Sequence, residues 1–255
     1  MRNDLDFNPC FQQGKTTEEL WKRFMWAALS YGRKYTVERG SHAGDYRLSL
    51  DCAMGYIAYP EARPLAPLAT EGLIPPTSDE EIIKYFNTKV FSPDPPAPDE
   101  HYNYSEWLYP LSMDAIEYYG IKGFGNAHAV LRVGDPFCFL DYSKPEVFVT
   151  DKSGQRHLDE LARPTTPCLL GIDTRIVQNQ MGDYFLCFYV MYRSWDLFGG
   201  FPENMGGFQM LKERMAMEIS YLSGKLVLPG PSTVFCKDLH LYGSRVEAAK
   251  AWLKL

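Results

Sequence analysis

The sequence predicts an α+β fold, a single domain over residues 1–255 with one large sheet flanked by helices. Two neighbouring apolar runs, 168–176 and 184–192, are rich in β-branched and aromatic residues, as central strands require. Amphipathic helical stretches precede and follow them, without the regular strand–helix alternation of a doubly wound fold. With 45% apolar and 15% aromatic residues among 255, the chain can bury the core such a sheet needs. No internal repeat and no clear linker divides it.

At the N-terminal end, Thr16 and Glu19 form a capping-box pattern. Leu20, Trp21, Phe24, Met25, Ala28 and Leu29 then recur at helical spacing up to Gly32. Within residues 34–58, Tyr35, Val37, Tyr46, Leu48 and Leu50 alternate around a break at 40–44, which predicts a hairpin with a flexible tip. Five prolines from Pro60 to Pro76 force extended or turning backbone until Ser78 and Glu81 cap a short helix through about Phe86. Residues 92–100, with four prolines, form a loop. A helix is expected from Ser112 to Tyr119 and a strand over 127–133, and the polar stretch 139–163 reads as an excursion. After the two apolar strands, Met205, Phe208, Leu211, Met215 and Ile219 share one face of a long helix over 204–222. Residues 246–255 close the chain as a short helix.

The net charge of −6 and pI near 5.4 argue against the basic surface that nucleic-acid polymers need, while leaving room for one nucleotide held by a few arginines. No apolar run approaches the roughly 18 residues of a membrane span and the first residues lack a signal-peptide core, so a cytoplasmic protein is expected. Six cysteines show neither a CxxC pair nor histidine at metal-ligand spacing, which disfavours zinc. In a reducing compartment most of them serve as buried thiols.

Three segments bear the chemistry. Pro167-Cys168-Leu169 puts a cysteine at the head of a strand. Arg193-Ser194-Trp195-Asp196 is followed by Gly199-Gly200-Phe201-Pro202-Glu203-Asn204 at a helix start, and His240-Leu241-Tyr242 comes later. Each has a plain structural reading: a packed thiol, a local Arg193–Asp196 pair, an Asn204 helix cap, and a polar strand face at His240 and Tyr242.

Taken together, Arg-Ser-x-Asp, Gly-x-Pro-x-Asn, an upstream Cys and a downstream His-x-Tyr resemble the signature of the thymidylate synthase superfamily. The resemblance covers residues 166–248 closely, and Arg39 with the segment running to Arg47 is similar to the family's phosphate-binding loop. It implies a large twisted mixed sheet, a homodimer with sheets back to back, a pyrimidine nucleoside monophosphate as substrate, and 5,10-methylenetetrahydrofolate or a related reduced pterin as co-substrate. Cys168 is then the nucleophile that adds to ring carbon 6, and its thiolate is reactive near neutral pH. By the same resemblance Arg193 holds phosphate and lowers the Cys168 pKa. Ser194 donates to that phosphate, Arg39 closes on it, His240 and Tyr242 bind the sugar hydroxyl, and Asp196 with Gly200 organises the pyrimidine and pterin surfaces. The carboxylate acid/base is assigned to Glu71. Asn204 reads the base: its amide suits the uracil edge, whereas cytosine-directed relatives carry Asp there.

Two departures from the family pattern keep the product open. The partner-facing Arg-Arg pair is replaced by Asn126-Ala127-His128, which leaves His128, Arg132 or Arg163 to supply the charge. Only 13 residues follow Tyr242, where synthases continue into a tail that excludes water from the exocyclic methylene intermediate. Methylation of deoxyuridylate is the first reading, hydroxymethylation of a uracil or cytosine nucleotide the second, and a non-catalytic nucleotide-binding homologue the rival of another class.

Overall fold

The computed structural model describes residues 9–38, 42–68, 72–96, 100, 102–134, 148–150, 156–158 and 166–255. Arg39, Glu71 and Arg163 lie outside the described residues.

The first helix forms as its pattern demands. In α1 (Thr17–Tyr31) the Thr16 hydroxyl accepts the Glu19 N–H, and Leu20, Trp21, Phe24, Met25 and Ala28 are buried. They pack on β4 (Ala53–Ile57), where Gly55 lets the helix approach: a Cβ there would meet Leu20 and Phe24 at 2.7 and 2.8 Å. The expected hairpin is β2 (Arg33–Thr36) paired antiparallel with β3 (Tyr46–Leu50).

The sheet is mixed, as expected, but it is accompanied by a second one. Six strands run in the order β1 (Cys10–Gly14), β4, β11 (Val227–Cys236), β9 (Tyr184–Tyr192), β8 (Leu169–Gln178), β5 (Val130–Arg132). The second sheet is ordered β10 (Trp195–Asp196), β12 (Leu239–Tyr242), β3, β2. Outside both, β6 (Phe148–Thr150) pairs antiparallel with β7 (Arg156–Leu158). The hairpin therefore contributes to the smaller sheet, and only the strand after it, β4, enters the larger.

Register explains which side of the large sheet is buried. Val234, Val190, Ile172 and Leu131 align across β11, β9, β8 and β5 and are all buried. On the opposite side Phe11 aligns with Met54, and Tyr56 aligns through Thr233 with Tyr189. These four large side chains remain 65, 40, 40 and 38% exposed, an open apolar row on a face that also carries Thr233, Asp173 and Arg175.

Two helices begin earlier than their sequence pattern indicates. α3 (Ser105–Lys122) starts seven residues before Ser112 and carries Pro110 inside it. Its start is fixed by Asn103, whose side-chain oxygen accepts from the Ser105 N–H and hydroxyl, while Glu106 accepts from the Asn103 N–H. α4 (Gly200–Ser223) begins four residues before Asn204, so Asn204 is not a cap. It ends at Gly224, whose φ of 67° supplies the left-handed residue that terminates a helix. α2 (Asp79–Tyr85) carries the expected Ser78–Glu81 capping box and continues as a π-helical turn over Phe86–Val90. The closing helix α5 spans Val246–Leu253. Among the described residues no helix is long and apolar enough to cross a membrane.

A candidate active site at the edge shared by the two sheets

Strand direction gathers the motif residues. β8 is antiparallel to β9 and β9 parallel to β11, with Leu169 opposite Tyr192 and Tyr192 opposite Cys236. The start of β8 and the ends of β9 and β11 therefore share one edge, which brings Cys168, Arg193 and Asp238 together. β10 and β12 follow directly, Asp196 pairing in register with His240.

Cys168 is a half-buried free thiol just before β8. The Arg193 guanidinium holds the chain in front of it, Nε donating to the Pro167 carbonyl at 2.9 Å and Nη2 to the Thr166 carbonyl at 2.7 Å. The Arg193 N–H donates to the Cys168 carbonyl at 2.9 Å. Arg193 thus orients the Cys168 segment through its main chain, and Nη1 makes no hydrogen bond among the described residues.

Ser194 donates to Asp238 at 3.1 Å, and Arg47 pairs with the same carboxylate oxygen at 3.1 Å. Burial alone would raise the Asp238 carboxyl, but His240 and Arg47 outweigh it and bring its pKa down to about 2. His240 is 4% exposed, its Nδ1 lies 3.2 Å from the Asp238 carbonyl, and its Nε2 is buried with no partner among the described residues. Tyr242 stands edge-on to His240 at 4.8 Å and stacks on His42 at 3.8 Å. A buried ring nitrogen without a partner is costly unless a ligand meets it.

Asp196 does not present a free carboxylate. Oδ1 accepts the Phe198 N–H, and Oδ2 accepts those of Gly199 and Gly200, at 3.1 to 3.3 Å. The carboxylate satisfies the unpaired N–H groups where α4 begins and so fixes the backbone after it, Gly200 included. A Cβ at Gly200 would lie 3.6 Å from the Asn204 side-chain oxygen.

Asn204 is held on both sides: the Trp195 indole N–H donates to Oδ1 at 2.8 Å, and Nδ2 donates to the Tyr85 hydroxyl at 2.8 Å. Behind this pair, a cavity of about 660 Å³ is lined by Tyr85, Tyr102, Tyr104, Glu81, Lys84 and Glu203. The Tyr102 hydroxyl, on the cavity wall, meets the Cys168 main chain. Burial and the neighbouring Glu81 raise the half-buried Glu203 carboxyl above its ordinary value.

Asp238, Trp195, Tyr85 and Glu203 are not legible as functional residues in the sequence, and Arg47 is legible only as the end of the phosphate-loop-like segment. Asp238 is signalled only by alternation, two positions before His240 and four before Tyr242. Of the substitutes for the missing arginine pair, His128 and Arg132 are exposed near β5. Among the described residues no three His, Cys, Asp or Glu side chains gather as metal ligands. Comparison with protein-family models and with curated proteins finds no match for this chain.

Proposed function

We propose that this chain is a thymidylate-synthase-like enzyme that activates a pyrimidine nucleoside monophosphate through Cys168 for one-carbon transfer at ring carbon 5. One observation carries the reading: Cys168 sits at a strand head oriented by Arg193, on the strand edge that leads directly to β10, whose Trp195 holds the Asn204 amide, and to β12, which carries the unpartnered His240 Nε2. A thiol, a base-sized donor–acceptor pair and, with Nδ1–H given to the Asp238 carbonyl, an Nε2 free to accept from a sugar hydroxyl are the parts that covalent activation of a nucleotide needs.

In this mechanism the Cys168 thiolate adds to carbon 6, forming an S–C bond, and the ring double-bond electrons shift to make carbon 5 the nucleophile. Arg193 Nη1 and, from outside the described residues, Arg39 hold the phosphate. His240 and Tyr242 hold the sugar hydroxyl and Asn204 the base edge. Arg47 keeps Asp238 charged, so Asp238 orients Ser194 and His240. Glu71, or Glu203 whose carboxyl is already raised, moves the proton. A cavity of about 660 Å³ lies within the roughly 300–1,000 Å³ of small-molecule sites, and its tyrosine walls fit a flat pterin. Methylenetetrahydrofolate bound there supplies the carbon unit. Deoxyuridylate methylation remains the first product and hydroxymethylation the second.

The open row of Phe11, Met54, Tyr56 and Tyr189 favours a homodimer joined through the large sheet, since monomers seldom expose such a face. The reading is tested by incubating the protein with 5-fluoro-deoxyuridylate and methylenetetrahydrofolate and weighing the product. A covalent adduct on Cys168 that disappears in Cys168→Ala is expected. An unmodified wild type, or turnover retained by Cys168→Ala, would sink it.

A further inference from the structure

The Asn204 amide has two possible orientations that exchange its oxygen and nitrogen, and the groups around it do not treat them alike. The Tyr85 hydroxyl can donate or accept, so it satisfies either one. An indole N–H can only donate. Trp195 lies 2.8 Å from Oδ1. Turning the amide over would set its NH2 against that N–H, donor facing donor, at a site where Trp195 is 3% exposed and water cannot intervene. Such a mismatch shifts the population by roughly ten- to hundredfold.

The indole cannot move aside to relieve it. It is stacked on Tyr192 with centroids 3.9 Å apart and planes 7° from parallel, and tilted against Phe201 at 4.7 Å. Tyr85 is equally fixed, because α2 lies directly on α4: a Cβ at Gly207 would meet the Tyr85 ring at 2.6 Å. With one lone pair given to Trp195 and one N–H to Tyr85, Asn204 has one donor and one acceptor left.

We propose that Trp195 is a positioning residue that sets which pyrimidine the site accepts, by holding the Asn204 amide so that its free donor and acceptor meet the base edge in one order only. This rests on the nucleotide reading above. Uracil offers an acceptor at O4 beside a donor at N3, cytosine the reverse, so one fixed amide pairs with one of them. An amide free to turn pairs with both.

The test compares dissociation constants of deoxyuridylate and deoxycytidylate for the wild type, Trp195→Phe and Tyr85→Phe. A fourth protein carries at position 195 the benzothienyl analogue of tryptophan, in which sulfur replaces the indole N–H and the ring stack is kept. The wild type is expected to prefer one nucleotide by about tenfold or more. Both donor-less proteins are expected to fall to within about threefold, with the disfavoured nucleotide binding tighter than to the wild type, a gain that structural damage does not produce. Tyr85→Phe keeps the preference. A wild type without preference, or a preference retained in the benzothienyl protein, overturns the inference and leaves the nucleotide reading standing. A wild type that binds neither nucleotide overturns that reading and the inference with it.

Discussion

Replacing Asp238 by Asn isolates the charge at the centre of the polar edge, since the amide keeps the shape and an acceptor for Ser194 but no longer attracts Arg47. The carboxyl titrates at about 2 in the fold against an ordinary 3.8, although burial pushes it the other way. That gap corresponds to roughly 2.5 kcal/mol of native-state preference for the charged form. Because the folded pKa is the lower one, this stability is fully present above pH 3.8 and is lost as the pH falls through about 2. Asp238→Asn should therefore be less stable than the wild type by about 2 kcal/mol at neutral pH, or roughly 4–8 °C in Tm. Below pH 3.8 the difference should close. Urea unfolding followed by circular dichroism at neutral pH and at two acid values measures both effects. Equal stability at neutral pH, or a difference that stays constant down to about pH 2, refutes the charge network as its source.

Two further substitutions probe the supports of the site. Lys212 is fully buried on α4, donating to the Gly230 carbonyl at 2.8 Å and the Ser232 hydroxyl at 2.6 Å, and burial lowers its pKa from 10.5 to about 7. The unfolded chain binds the extra proton between those values, so this residue makes stability rise with pH by up to about 1.4 kcal/mol per unit there. Lys212→Met should remove that rise, and parallel stability–pH curves for the two proteins in urea unfolding would refute it. Arg193→Lys keeps a charge but cannot bridge the Thr166 and Pro167 carbonyls as the planar fork does. The rate of fluoronucleotide adduct formation should drop by at least about tenfold, and a rate within twofold of wild type would place the orientation of Cys168 elsewhere.

The fold was most legible where local chemistry decides. Thr16 and Ser78 are caps by residue type, and the run 184–192 is a central strand by composition. It was least legible where a residue with a strong habit is overruled. Pro110 masked the first turns of α3, yet the helix begins earlier because Asn103 and Glu106 satisfy its start. Gly199 and Gly200 are poor helix formers and hid the first turn before Asn204, but the Asp196 carboxylate collects the exposed N–H groups and lets α4 form from Gly200. Pro229, Gly230 and Pro231 disguise β11 altogether. The strand tolerates them through a register shift between Pro229 and Ser232, where the Lys212 ammonium takes up the carbonyls that the ladder leaves free. The site divides the same way. Cys168, Arg193, Asn204 and His240 follow from motif order, whereas Tyr85 reaches Asn204 from 119 residues away, and no local pattern announces such a contact.

The position of the site follows from where the large sheet runs out of hydrogen bonds. At the head of β8 the carbonyls of Thr166 and Pro167 lie beyond the ladder, and Pro167 has no N–H to offer a neighbouring strand. Arg193, arriving at the end of the antiparallel β9, supplies two donors to those carbonyls and keeps Nη1 in reserve. One guanidinium therefore closes a structural gap and holds the segment in front of Cys168 through its main chain. A point-charge ammonium meets only one of those demands at a time. Asp238 at the end of β11 divides itself similarly between Arg47, Ser194 and His240. Strand ends that must be satisfied internally thus gather charged and polar side chains at one edge of the sheet, the edge from which β8 starts just after Cys168.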